Sequence, residues 1–92
     1  MRYNAQVIEI TDSDTFVVNR AYKDINIIRL NGVDTPEKGE LGYDEAKNFL
    51  ASLILMKTVT IDAVSIGHFH RIIANVYINN ISINKMIKAK GW

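Results

Sequence analysis

The sequence predicts a mainly β domain of the α+β kind, with five short strands, one helix after the third strand and a short helix near the C-terminal end. Three observations carry this expectation. Five short segments carry strand patterns, by period-two alternation or by β-branched and aromatic content, one segment carries an apolar stripe at helical spacing, and turn-forming residues separate them.

Val7-Ile8-Glu9-Ile10-Thr11 alternates, Asp12-Ser13-Asp14 supplies turn chemistry, and Thr15-Phe16-Val17-Val18 is β-branched and aromatic, so the three predict a hairpin. Asn19 to Asp24 is polar and predicts a second connection. Ile25 to Leu30 predicts the third strand, with Ile28 and Leu30 on one face and Arg29 beside Ile27 on the other, because side chains alternate along a strand. Asn31 to Leu41, with Gly32, Pro36, Gly39 and several charges, predicts a mobile loop.

From Tyr43 to about Lys57, apolar residues fall at Ala46, Phe49, Leu50, Leu53 and Ile54, the stripe of a helix that buries one face. Asp44 and Glu45 suit its first turn, where the helix dipole favours negative charge. Thr58 to Val64 predicts the fourth strand, which Gly67 breaks. Arg71 opens the fifth, whose inward face is Ile72, Ala74, Val76 and Ile78. Asn79-Asn80 predicts a turn, and Ser82 to Lys90 a short helix with Ile83, Met86 and Ile87 inward and Lys85 and Lys88 outward. This order fits a five-stranded, partly open barrel of the OB type, and it also suits other α+β folds.

A length of 92 residues predicts a single domain over residues 1–92. Hydrophobic residues at 48% and charged residues at 23% are the composition of a globular chain, not a disordered one. Cysteine is absent, which excludes disulfides, thiolate metal sites and cysteine nucleophiles. No apolar run is long enough for a membrane-spanning helix, and the polar start from Met1 to Gln6 is not that of a signal peptide, so secretion and a cytoplasmic location both stay open. A net charge of +1 lacks the basic excess of bulk electrostatic nucleic-acid binding, so any polyanion must be held by placed residues.

Asp12, Asp14 and the Asp34-Thr35-Pro36-Glu37 run each have an ordinary explanation in turn chemistry. Arg29 needs a negative partner, and Asp14 or Asp34 would provide it as an ion pair. Arg71 alone reads as a strand-edge charge. Together the set is more informative, since carboxylates make a hard oxygen site for Ca²⁺ or Mg²⁺ and arginine forks match phosphate oxygens. The combination points to phosphodiester chemistry. His68 and His70 suit exposed loop positions better than a transition-metal site, and Trp92 suits packing beside Ile83 and Ile87 better than base stacking.

Asp12-Ser13-Asp14-Thr15, the run Ile28 to Glu37, Gly42-Tyr43-Asp44-Glu45-Ala46 with Phe49-Leu50, and Arg71 with Ala74, Val76-Tyr77 and Asn84 together resemble the staphylococcal nuclease (thermonuclease) family over nearly the whole chain. The resemblance implies an OB barrel with helices. It implies Ca²⁺ held by the carboxylates of Asp14 and Asp34 and the backbone carbonyl of Thr35, with waters completing the shell. Glu37 would orient or deprotonate the attacking water, while Arg29 and Arg71 would grip the phosphate and stabilise charge in the transition state. The implied activity is hydrolysis of DNA and RNA, preferably single-stranded, on the 5′-O side to leave 3′-phosphate ends.

The chain departs from the family pattern at four places. Ser13 stands where glycine is usual, Phe69 and His70 stand where tyrosine and glycine are usual, the first helix ends in Met56-Lys57 where a glycine C-cap is usual, and Gly91-Trp92 falls short of the family's further C-terminal substrate contacts. Two other readings follow. One is an OB-type module that binds single strands or a protein partner without cutting. The other is part of a longer protein or a folded fragment, either a monomer or a dimer in which another chain supplies the missing end.

Overall fold

A computed structural model describes residues 1–92 as six strands and two helices. Strand β1 (Arg2–Asp12) runs the length of the barrel wall. Its first half pairs antiparallel with β4 (Thr58–Gly67), and its second half pairs antiparallel with β2 (Thr15–Tyr22). Irregularities between Val7 and Glu9 and between Ile10 and Asp12 mark where β1 bends from one neighbour to the other, as bulges do. The polar start of the chain is therefore strand: Tyr3, Ala5 and Val7 are buried while Arg2 and Asn4 face outward.

Strand β2 likewise outlasts its apolar half and ends at Tyr22, so the connection to β3 (Ile25–Leu30) is the two-residue turn Lys23-Asp24 rather than the longer polar segment expected. β4 continues through Gly67 because its far half pairs with β5 (Arg71–Ile78), down to Gly67 opposite Arg71. The parallel pairing of β3 with β5, Ile28 with Ile72 and Leu30 with Ala74, joins the ends of the sheet. The five-stranded barrel is thus closed, not partly open, which removes the free edges. A two-residue strand β6 (Ile81–Ser82) extends β5 after the Asn79-Asn80 turn.

Helix α1 (Tyr43–Ile54) buries Ala46, Leu50 and Ile54. It ends three residues before Lys57 because Met56 leaves the helix at φ 63° and donates its N–H to the Val7 carbonyl at 2.8 Å, while the Val7 N–H reaches Lys57 at 2.9 Å. Pairing with β1 wins over continuing the stripe. Helix α2 (Ile83–Ala89) starts at the Ser82 hydroxyl, which accepts from the Lys85 N–H at 3.1 Å. It buries Ile83 and Ile87 over one end of the core, whose centre is Phe16, Ile28, Leu30, Ile61 and Ile72. Trp92 packs against this core with its ring 6.1 Å from that of Phe49.

Candidate active site

The β1–β2 turn, the end of β3, the loop that follows it and the β4–β5 turn meet at one end of the barrel. Each strand end is fixed by the closed sheet, so residues far apart in sequence come to one cleft of about 540 Å³. Its wall carries Asp12, Ser13, Asp14, Arg29, Thr35, Pro36, Glu37, Lys38, Phe69 and Arg71.

Arg29 alternates away from the buried Ile28 and Leu30, half-buried in the cleft wall. Its Nε lies 3.2 Å from Asp14 Oδ2, and the other Asp14 oxygen accepts from the Thr15 hydroxyl at 2.7 Å. The ion-pair alternative for Arg29 is thus real and its partner is Asp14. It engages the Nε edge, which leaves the two terminal nitrogens without an acceptor in the chain. Arg71 is arranged the same way: its Nε donates to the His68 carbonyl at 3.1 Å, with the guanidinium 5.5 Å from the centre of the Phe69 ring. Both arginines offer terminal N–H pairs, the geometry that matches phosphate oxygens.

The Asn31–Gly42 loop is held at several points. Leu30 N–H bonds Asp14 O, Asn31 N–H bonds Ala74 O, and Asp34 N–H bonds the carbonyl of Trp92. Ser13, buried in the hairpin turn, places its hydroxyl on Thr35 Oγ1 and on the Pro36 carbonyl. Glu37 is exposed at the cleft, with its N–H on Glu40 Oε1 at 2.6 Å and its carboxylate free of protein partners. Asp12 Oδ1 accepts from the Ser13 N–H at 2.9 Å, which shapes the turn. The Tyr43 phenol is pushed above its usual pKa by partial burial and then by the neighbouring Asp12, Asp44 and Asp14 carboxylates, so it stays protonated.

Asp34 stands apart from this set. It lines an adjoining cavity with Glu40, Leu41 and Trp92, and only Thr35 and Pro36 border both spaces. Its carboxylate has no protein partner, and no three carboxylate or imidazole side chains converge. The donors that Asp14, Asp34 and Thr35 offer are all oxygen, the chemistry of a hard divalent cation with waters in its shell. His68 and His70 are both exposed on the β4–β5 turn.

Of the cleft residues, Lys38 was not singled out in the sequence, and its signal is only position, next to Glu37 in a loop that returns to the cleft. Ser13 and Phe69 were visible as departures from a pattern, without an indication of what they touch.

A family model described as staphylococcal nuclease homologue matches residues 27–92. Two proteins of Oryza sativa subsp. japonica, described as probable staphylococcal-like nucleases CAN3 and CAN2, are 33% and 32% identical to the chain over 82 residues, 89% of its length. The chain spans 21% of the length of each of these relatives. The barrel, the matched segment from β3 to Trp92 and these identities together show that the chain belongs to the staphylococcal nuclease family.

Proposed function

We propose that this domain is a Ca²⁺-dependent nuclease that hydrolyses phosphodiester bonds of DNA and RNA, cutting on the 5′-O side to leave 3′-phosphate ends. The observation that supports this reading best is one cleft that holds two arginines with unengaged terminal nitrogens beside a free Glu37 carboxylate and Asp14.

Arg29 and Arg71 bind the non-bridging oxygens of the scissile phosphate and meet the negative charge that builds as phosphorus becomes five-coordinate. Glu37 accepts a hydrogen bond from the attacking water, orients it in line with the leaving 5′ oxygen and takes its proton. Asp14, Asp34 and the Thr35 carbonyl would hold Ca²⁺, with waters filling the remaining positions. When bound, the ion supplies Lewis-acid polarisation of the phosphate. Asp14 also orients Arg29 through the Nε contact.

The test is cleavage of end-labelled single-stranded DNA and RNA in Ca²⁺, in Mg²⁺ and in chelator, with Glu37→Ala alongside. Cutting in Ca²⁺ that disappears in chelator and in the variant is expected, with 3′-phosphate ends on the products. A folded protein that binds the strands without cutting them would replace the nuclease by a binding module.

A further inference from the structure

Three hairpin turns hold two adjacent residues at positive φ: the two-residue turn Lys23-Asp24 at 51° and 63°, Phe69 and His70 of the three-residue β4–β5 turn at 62° and 56°, and the two-residue turn Asn79-Asn80 at 49° and 65°. Asparagine and aspartate reach this region at small steric cost, so the third turn has the residues its geometry favours. An aromatic residue there is a steric outlier. The turn that carries this strain is the one over the candidate active site.

Nothing inside the protein offsets it. The Phe69 ring is 86% exposed and belongs to neither the core nor its packed fringe. Its contacts are within its own turn: the Arg71 guanidinium 5.5 Å from the ring centre, and the His68 ring edge-on at 6.5 Å. Phe69 is also the one large apolar side chain on the wall of an otherwise polar cleft. A bulky, strained, water-exposed ring fixed beside a phosphate-binding arginine is placed for a flat apolar partner, and next to a phosphate in a nucleic acid that partner is a base.

We propose that Phe69 is a stacking platform for the nucleobase that flanks the phosphate held by Arg71. The guanidinium takes part of the ring surface and the remainder, open to solvent, takes the base. Any base has a π face, so the platform adds affinity with little sequence preference. Bases inside a duplex are already stacked on one another, so the platform selects single strands, DNA or RNA. This inference rests on the reading of the cleft as a nucleic-acid site, and it concerns binding rather than cutting.

The experiment is fluorescence anisotropy in chelator, which is expected to prevent cleavage. The ligands are a labelled thymidine strand, a uridine strand and a strand of equal length made of abasic tetrahydrofuran residues. The proteins are the wild type, Phe69→Ala, Phe69→Leu and Phe69→Trp, each checked for fold by circular dichroism. Phe69→Ala and Phe69→Leu are expected to weaken binding of both base-bearing strands about tenfold or more, and Phe69→Trp to retain it. The abasic strand is expected to bind the wild type more weakly and to be unaffected by any substitution. Equal losses on abasic and base-bearing strands would overturn the proposal, because the ring would then act only through Arg71. So would a leucine variant that binds like the wild type, or a wild type that binds no base-bearing strand. Failure of the nuclease reading has a separate signature: a wild type that binds strands in this assay and leaves them intact in Ca²⁺.

Discussion

The hydroxyls of Ser13 and Thr35 meet at 2.8 Å, both buried, and Ser13 Oγ also donates to the Pro36 carbonyl at 2.7 Å. A serine has one hydroxyl proton, and Pro36 receives it, so Thr35 donates in the pair between them. Two bonds thereby tie the hairpin turn that bears Asp14 to the loop that bears Thr35 and Glu37. Replacing Ser13 by alanine strands a buried hydroxyl and a carbonyl, and is expected to lower the unfolding free energy by about 1–3 kcal/mol. Urea denaturation followed by circular dichroism measures this, and a variant as stable as the wild type would show the tie to be dispensable.

Asn84 performs a similar service deeper in the fold. Its side-chain carbonyl accepts from the Val76 N–H at 2.8 Å, and its amide donates to Asn31 O at 2.9 Å and Ala74 O at 3.1 Å. One buried residue of α2 thus ties β5 to the end of β3 where the site loop begins. Asn84→Ala leaves the Val76 N–H and the Asn31 carbonyl unpaired, while Ala74 O keeps the Asn31 N–H, and it is expected to cost about 3 kcal/mol or more, a large part of the stability of a domain this small. The same denaturation experiment reads it, and a loss below about 1 kcal/mol would contradict the network.

Tyr3 offers the opposite case. Its hydroxyl is buried with no hydrogen-bond partner in the chain, and burial pushes its pKa up, against a lowering by Arg20. Tyr3→Phe removes an unsatisfied group and keeps the packing, so stability at neutral pH is expected to be unchanged or higher by up to about 1 kcal/mol. The pH dependence follows from the raised value. The folded state holds the phenol proton more tightly than the unfolded state, so this contribution is complete below the unfolded value of about 10 and is lost as pH rises through the folded one. Thermal melts between pH 8 and 11 should show a steeper alkaline decline for the wild type than for Tyr3→Phe.

In the proposed reaction Arg29 bears on the rate most directly. Its Nε is engaged by Asp14, so the terminal fork is aimed by a second charge. Arg29→Ala is expected to slow single-turnover cleavage by about 10³ to 10⁵-fold, the range seen for arginines that stabilise phosphoryl-transfer charge. Arg29→Lys should not restore the rate, because an ammonium cannot hold Asp14 and present a planar pair of donors at once. Recovery of most of the activity by lysine would reduce the role of Arg29 to charge alone.

The proposed Ca²⁺ site has a reporter in the chain. Trp92, the only tryptophan, lines the cavity of Asp34, and its carbonyl accepts from the Asp34 N–H. Addition of Ca²⁺ is expected to change Trp92 emission in a saturable way, and Asp34→Ala to abolish the change. A titration unaltered by that substitution would remove Asp34 from the site.

Much of the cleft's lining was readable because its residues sit at places that local chemistry marks. Asp14 ends a turn rich in Asp and Ser, Arg29 interrupts an isoleucine strand, and Pro36 stiffens the loop before Glu37. Whether Asp14 and Asp34 share a space was not readable. They line two adjoining cavities that share Thr35 and Pro36, and the Asp34 backbone is held by Trp92, 58 positions further along the chain.

The sequence by itself determined the order of the main elements, the faces of β3, β5 and both helices, and the identity of the charged groups. Periodicity, turn preference and helix stripe are properties of neighbours in the chain. Tertiary structure alone decided that Arg2 to Gln6 is strand, that β3 meets β5 to close the barrel, and that α1 yields to β1 at Met56. It also decided what Ser13 and Phe69 touch. Each of these depends on a partner far away in sequence, and a hydrogen bond between distant segments leaves no local pattern to read.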